Sequence, residues 1–263
     1  MKRIFCFLTA LYFSLTLFGQ AQITTKKEKL SDFRTKTVKV VLGVQPMLDP
    51  ALKEAVKNTW IISPFEFCTG EEFTTLLPDS SYYFLFMSET FRKEKSTGII
   101  ELRLIKGGEE DIDKALTVTS FPLCSTDMSS GRETVFLPAI LHILQRSAEQ
   151  AVNSGAKVPS SVGTKKAIYF AQKDLSEDAL TAANATDKVT VLSSDQADEL
   201  FDSGEDAIFS YVIAPDEPEA GQVSYVMMVD ARTHRLCYLR KRKISGSKGV
   251  GFQKSDIKAI VGK

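Results

Sequence analysis

The chain has 263 residues, 43% of them hydrophobic, with 33 basic side chains set against 33 acidic ones. That hydrophobic share belongs to a globular fold rather than a disordered chain, and the length suits one large domain or two modest ones. The even charge argues against a general nucleic-acid binder, and without Lys2 and Arg3 the balance falls two charges below neutral.

The opening stretch, MKRIFCFLTALYFSLTLFGQAQ, runs from basic Lys2 and Arg3 through an apolar segment, Ile4 to Phe18, to small residues at Gly19 and Ala21. This is the plan of a secretory signal peptide, residues 1–21, with cleavage expected after Ala21. Its apolar segment is shorter than the roughly 20 residues a spanning helix needs. No Cys stands at the cleavage point, so the mature protein is expected in an exported space, periplasmic or extracellular, and not as a lipoprotein. The longest apolar run elsewhere, Val135 to Leu144, is broken by Pro138 and His142 and is too short to cross a bilayer.

Residues 22–36 read as a polar lead. TVKVVLGV, Thr37 to Val44, is a continuous β-branched strand, and DPALKEAVKN follows as a helix with Asp49 as N-cap and Pro50 at its first position. TWIIS, Thr59 to Ser63, reads as a short second strand around Trp60. TGEEFTTLL reads as a short helix whose Thr69 and Glu72 have the spacing of a capping box. SYYFLFMSE and GIIELRLIKG are a strand pair, ALTVTSFPL a third strand, and the helix from Pro138 to Asn153 closes the unit.

The second half repeats this order. KKAIYFAQ is the strand, SEDALTAANA the capped helix, KVTVLS the second strand and SDQADELF the second helix. DAIFSYVIA and QVSYVMMVD form the strand pair, RLCYLRKRK is the last strand, and VGFQKSDIKAIV ends the chain as ETVFLPAILHIL ends the first unit. The expectation is an α/β (α+β) protein of two tandem βαβαβββα units, residues 37–153 and 165–263, joined by a Gly/Ser/Pro-rich linker at 154–164. Helix crossovers predict parallel pairing early in each unit and short turns predict an antiparallel meander late, hence a mixed sheet carrying helices.

Chemistry is sparse. The two histidines, His142 in an apolar helix run and His234 in a turn, make no HExxH or other zinc spacing, so neither metal nor cofactor is expected. Outside the leader the cysteines are Cys68, Cys124 and Cys237, none close in sequence to another. They are either one disulfide and a free thiol or three buried thiols, and burial is the expectation. No G-x-S-x-G elbow or EF-hand pattern occurs. A nucleophilic reading has one pair to draw on, Cys124 with His142, because FPLCSTDMSSGRE precedes the His142 helix. The remaining asymmetry is a basic run, Arg240, Lys241, Arg242 and Lys243, with Lys248 in a following Gly-rich loop. It reads as a charge-protected edge strand or as a contact for an anionic envelope component. The function expected from all this is an exported, non-enzymatic binding or assembly protein of the cell envelope that is not membrane-spanning. A Cys–His hydrolase acting on cell-wall peptide or glycan is the alternative.

Overall fold

A computed structural model describes residues 30–128, 130–153, 165–245 and 249–262. The segments read as a signal peptide (1–21) and as a linker (154–164), and Lys248, lie outside the described residues.

Each half carries one five-stranded mixed sheet, and the two sheets have the same plan. The first half comprises β1 (Thr37–Val41), α1 (Asp49–Thr59), β2 (Phe65–Cys68), α2 (Gly70–Leu76), β3 (Tyr82–Arg92), β4 (Lys95–Lys106), β5 (Leu116–Ser125) and α3 (Arg132–Asn153). The second comprises β6 (Ala167–Ala171), α4 (Glu177–Asn184), β7 (Thr190–Leu192), α5 (Ser194–Asp202), β8 (Ala207–Ile213), β9 (Val223–Asp230), β10 (Leu236–Lys243) and α6 (Lys254–Val261). Strand order is β2-β1-β3-β4-β5 in one sheet and β10-β9-β8-β6-β7 in the other, the same order read from opposite edges. The first strand of each half pairs in parallel with both neighbours, and the last three strands are antiparallel. This repeated plan fits a tandem duplication.

Cap chemistry is repeated as well. Thr69 and Glu72 close a reciprocal capping box on α2, and Ser193 with Gln196 closes one on α5, so each second helix begins by satisfying two otherwise orphaned N–H groups.

Three local expectations need correction. The second strand of the first half is FEFC, not TWIIS: Phe65 to Cys68 runs parallel to Val38 to Val41, while Thr59 ends α1 and Trp60 follows as its C-cap. Trp60 and Ile62 are buried but Ile61 is 86% exposed. Its N–H is held by the Gln145 amide oxygen of α3 at 3.0 Å, a tertiary contact that takes the segment out of strand pairing. Asp49 is not the N-cap of α1. Leu48 holds that position without a side-chain bond, and the Asp49 carboxylate accepts from the Gly43 N–H at 2.6 Å, tying the preceding loop to the helix start. Helix α3 begins at Arg132 and carries Pro138 in its interior; its first turn is set by Glu133, which accepts from Ser130 Oγ and from the Gly131 N–H at 2.7 and 3.1 Å.

The polar lead also does structural work. Leu30 and Phe33 are fully buried, and Asp32 accepts from Tyr83 Oη at 2.6 Å and from Lys106 Nζ at 2.9 Å.

One apolar cluster runs through both halves, from Val38, Leu52 and Leu104 across Phe136, Ile140 and Leu144 of α3 to Phe201, Phe209 and Met227. A second cluster lies under α4 and α6, and a third, smaller one under α2. The layers therefore run from α2 through the first sheet to α1, α3 and α5, then through the second sheet to α4 and α6. The helix that closes the first half forms part of the core of the second, so the two halves share one apolar core.

Candidate functional site

The two halves part at one end of this shared core. Strands β3 and β4 continue as a hairpin whose two-residue turn, Lys93 and Glu94, has φ of 49° and 63°, the twist that matches paired strands. The hairpin lies against the β8–β9 connection of the second half. Gly98 has φ +72°, and a Cβ there would sit 2.8 Å from the Pro215 Cβ, so only glycine permits both the conformation and the approach. At the mouth, Lys95 Nζ meets Glu219 Oε2 at 2.5 Å, both side chains being mostly exposed.

Between hairpin and second sheet is a cleft of about 600 Å³, with Phe91, Arg92, Glu101, Gln222, Tyr225 and Lys241 in its lining. Its floor is apolar, with Ile99 1% and Tyr225 7% exposed, and Phe91 stands at the rim, 62% exposed. Lys241 Nζ lies 5.2 Å over the Tyr225 ring. Burial pushes the Tyr225 phenol up, Lys241 draws it down, and the Glu101 carboxylate adds to the rise. Arg92, Glu101 and Lys241 form no ion pair among the described residues, whereas Lys95 and Glu219 neutralise each other. Clefts where two structural units meet, apolar below and polar at the rim, are common ligand seats.

The closed part of the seam is organised by Arg132, on the first turn of α3 and 2% exposed. Its Nη1 donates to both Asp174 carboxylate oxygens at 2.9 and 3.0 Å, its Nε to Asp198 at 2.7 Å and its Nη2 to the Ser210 carbonyl at 3.1 Å. Ser210 Oγ donates to Asp174 at 2.6 Å. Burial works against the guanidinium charge, but the carboxylates of Asp174 and Asp198 hold its pKa above the ordinary value. Asp198 is pushed up by burial against the pull of Arg132. Every guanidinium nitrogen here has an acceptor in the second half, so the constellation clamps one half to the other.

Among the described residues no hydrogen bond joins Cys124 to His142, whose buried Nε2 has no partner. Cys124 lies on β5, 2% exposed, and burial, followed by the Glu133 carboxylate, pushes its thiol up to about 12. A thiol held that high is a poor nucleophile near neutrality. The His142 ring lies instead against His234, with centroids 6.0 Å apart. Cys68 and Cys237 are likewise free and buried. Burial is the largest cause that raises each, Cys68 to about 11.

The basic run divides by face. Arg240 and Arg242 turn to Asp256 at the start of α6, Arg240 Nη1 at 2.8 Å. That fully buried carboxylate also accepts from Tyr238 Oη and the Gln253 N–H, at 2.7 and 2.8 Å. Lys241 turns toward the cleft, and Lys243 is exposed at the end of β10. The run lies on an edge strand, and two of its four cations share the one Asp256 carboxylate. A shallower depression of about 510 Å³ borders Arg240, Arg242 and Lys243 on that side.

Among the described residues no group of three or more His, Cys, Asp or Glu side chains is placed to hold a metal ion. No helix among them is long and apolar enough to cross a membrane. Reading by pattern missed Arg132, Asp174 and Asp198, and also the cleft residues Phe91, Arg92, Glu101 and Tyr225. No local spacing marks any of these; they meet only through the packing of the halves. Compared with known proteins, the chain matches no family model, no curated protein and no solved structure. Fold and site together define a mixed-sheet α/β protein of two similar units with one shared core and an open cleft where its halves diverge.

Proposed function

We propose that this is an exported, non-enzymatic binding or assembly protein of the cell envelope, and that its partner is held in the cleft between the β3–β4 hairpin and strands β9 and β10. The observation that carries the reading is the pairing of an apolar floor, Ile99 and Tyr225, with three charged groups, Arg92, Glu101 and Lys241, that have no ion-pair partner among the described residues. Elsewhere the buried charges are spent on the fold, Arg132 on Asp174 and Asp256 on its arginines. The reading also accounts for the thiols, which are buried with raised pKa values. The mature chain is expected to begin at Gln22, and the basic face of β10 supplies one wall of the cleft through Lys241.

The test is retention of envelope components on the immobilised mature protein, compared with an Arg92→Ala/Glu101→Ala/Lys241→Ala variant of equal thermal stability. These side chains sit at a surface cleft, so the variant is expected to keep its fold. A component retained by the native protein and lost from the variant supports the reading; equal retention by both, or none by either, contradicts it.

A further inference from the structure

The chain has two histidines, and the fold places them face to edge across the seam. His142 is on α3 of the first half and His234 in the β9–β10 turn of the second. Their ring centroids are 6.0 Å apart with planes at 74°. His234 lies nearly parallel to Phe201 of α5, 6.3 Å away, Phe201 is stacked on Phe136 of α3 at 4.0 Å, and Phe136 is stacked on Tyr211 of β8 at 4.3 Å. The rings form one continuous series that passes back and forth between the halves.

Both imidazoles are set against taking a charge. His142 Nε2 is buried with no hydrogen-bond partner among the described residues, so a proton added there finds no acceptor. The charged or titratable groups that face His142 are Arg146, one turn along its own helix, and His234 from the opposing turn. His234 is faced by Asp230. That carboxylate is already committed to Lys166 at 2.8 Å and to the Thr233 N–H at 3.0 Å. The Phe201 face and Asp230 both favour a cation at His234, but burial outweighs them. Each ring has its pKa below the ordinary imidazole value, with burial the largest cause.

We propose that the His142–His234 pair is an acid-sensitive latch between the halves: with both imidazoles neutral the aromatic seam is closed, and a proton taken up by either ring loosens α3 from the β9–β10 turn. Because the folded-state values lie below the unfolded ones, the stabilisation is complete above about pH 6.5 and is lost as pH falls from there through the folded-state values.

Hydrogen exchange of the full mature chain, corrected for intrinsic rates and compared between about pH 7.5 and about pH 5, reads the latch directly. Peptides from α3 and from the β9–β10 turn are expected to lose protection several-fold at the lower pH, while β1 and β2 keep theirs. A His142→Gln/His234→Asn variant is expected to lose this pH response; Asn is chosen because residue 234 has φ +50°, which Asn tolerates. Should that variant fail to fold, NMR titration of the two imidazoles in the native protein decides, since both must titrate below the ordinary histidine range. Protection of α3 and the turn that persists at the lower pH, a loss that is identical in the variant, or imidazoles that titrate at the ordinary value would overturn the proposal.

Discussion

The two halves share a strand order and a capping pattern but finish differently. In the first, the edge strand β5 is uncharged and buried from Val118 to Cys124, and Tyr211 of the second half donates to its Leu123 carbonyl at 3.0 Å. In the second, the corresponding edge strand β10 ends in Arg240 to Lys243, alternately half-buried and exposed. The closing helices differ to match: α3 has 22 residues and reaches across the seam, whereas α6 has 8 and lies on α4. A sheet edge is kept from pairing with other chains either by covering it or by charging it, and this molecule uses one solution in each half. The two similar units, which fit a tandem duplication, thus differ most at their last strand and last helix, where they join.

The comparison breaks most readily at the seam. Replacing Arg132 with Ala leaves Asp174 buried without its cation and the Ser210 carbonyl without a donor. A cost of about 3–5 kcal/mol is expected for a broken buried ion pair, read as a lowered urea midpoint. The buried charge at the start of the second half's closing helix is Asp256, which anchors Arg240, Arg242 and Tyr238 to α6. Asp256→Ala is expected to cost less, about 1–3 kcal/mol, in the same urea titration, because the Arg240 side chain is 43% exposed and can turn to water. Equal losses for the two substitutions would mean that the seam is no more demanding than the charged edge.

Most of the architecture was legible because it is written locally. Alternating and continuous apolar runs located nine of the ten strands among the described residues, and the Thr69–Glu72 spacing gave the start of α2 with its mechanism, whereas the matching Ser193–Gln196 box on α5 emerged only from the structure. The misread segments are those decided by distant partners. TWIIS is more β-like than FEFC, yet Gln145 of α3 takes the Ile61 N–H and β1 pairs with Phe65 to Cys68. Pro138 looked like a helix start, but a helix already nucleated at Arg132 and Glu133 runs through it. The site was less legible still. Cys124 and His142 drew attention as neighbours in sequence, whereas the partner of His142 is His234 in the other half. Arg132, within a stretch that reads as a turn, has nothing beside it to announce burial among carboxylates from the second half.

The central structural claim is that the halves form one cooperative unit through α3, with the cleft as the place where they diverge. Differential scanning calorimetry of residues 22–263 tests it most directly. A single transition whose calorimetric and van't Hoff enthalpies agree is the predicted result, because the apolar cluster that holds α3 belongs to both halves. Two separable transitions, one for each sheet, would contradict it and would return the molecule to a pair of independent domains.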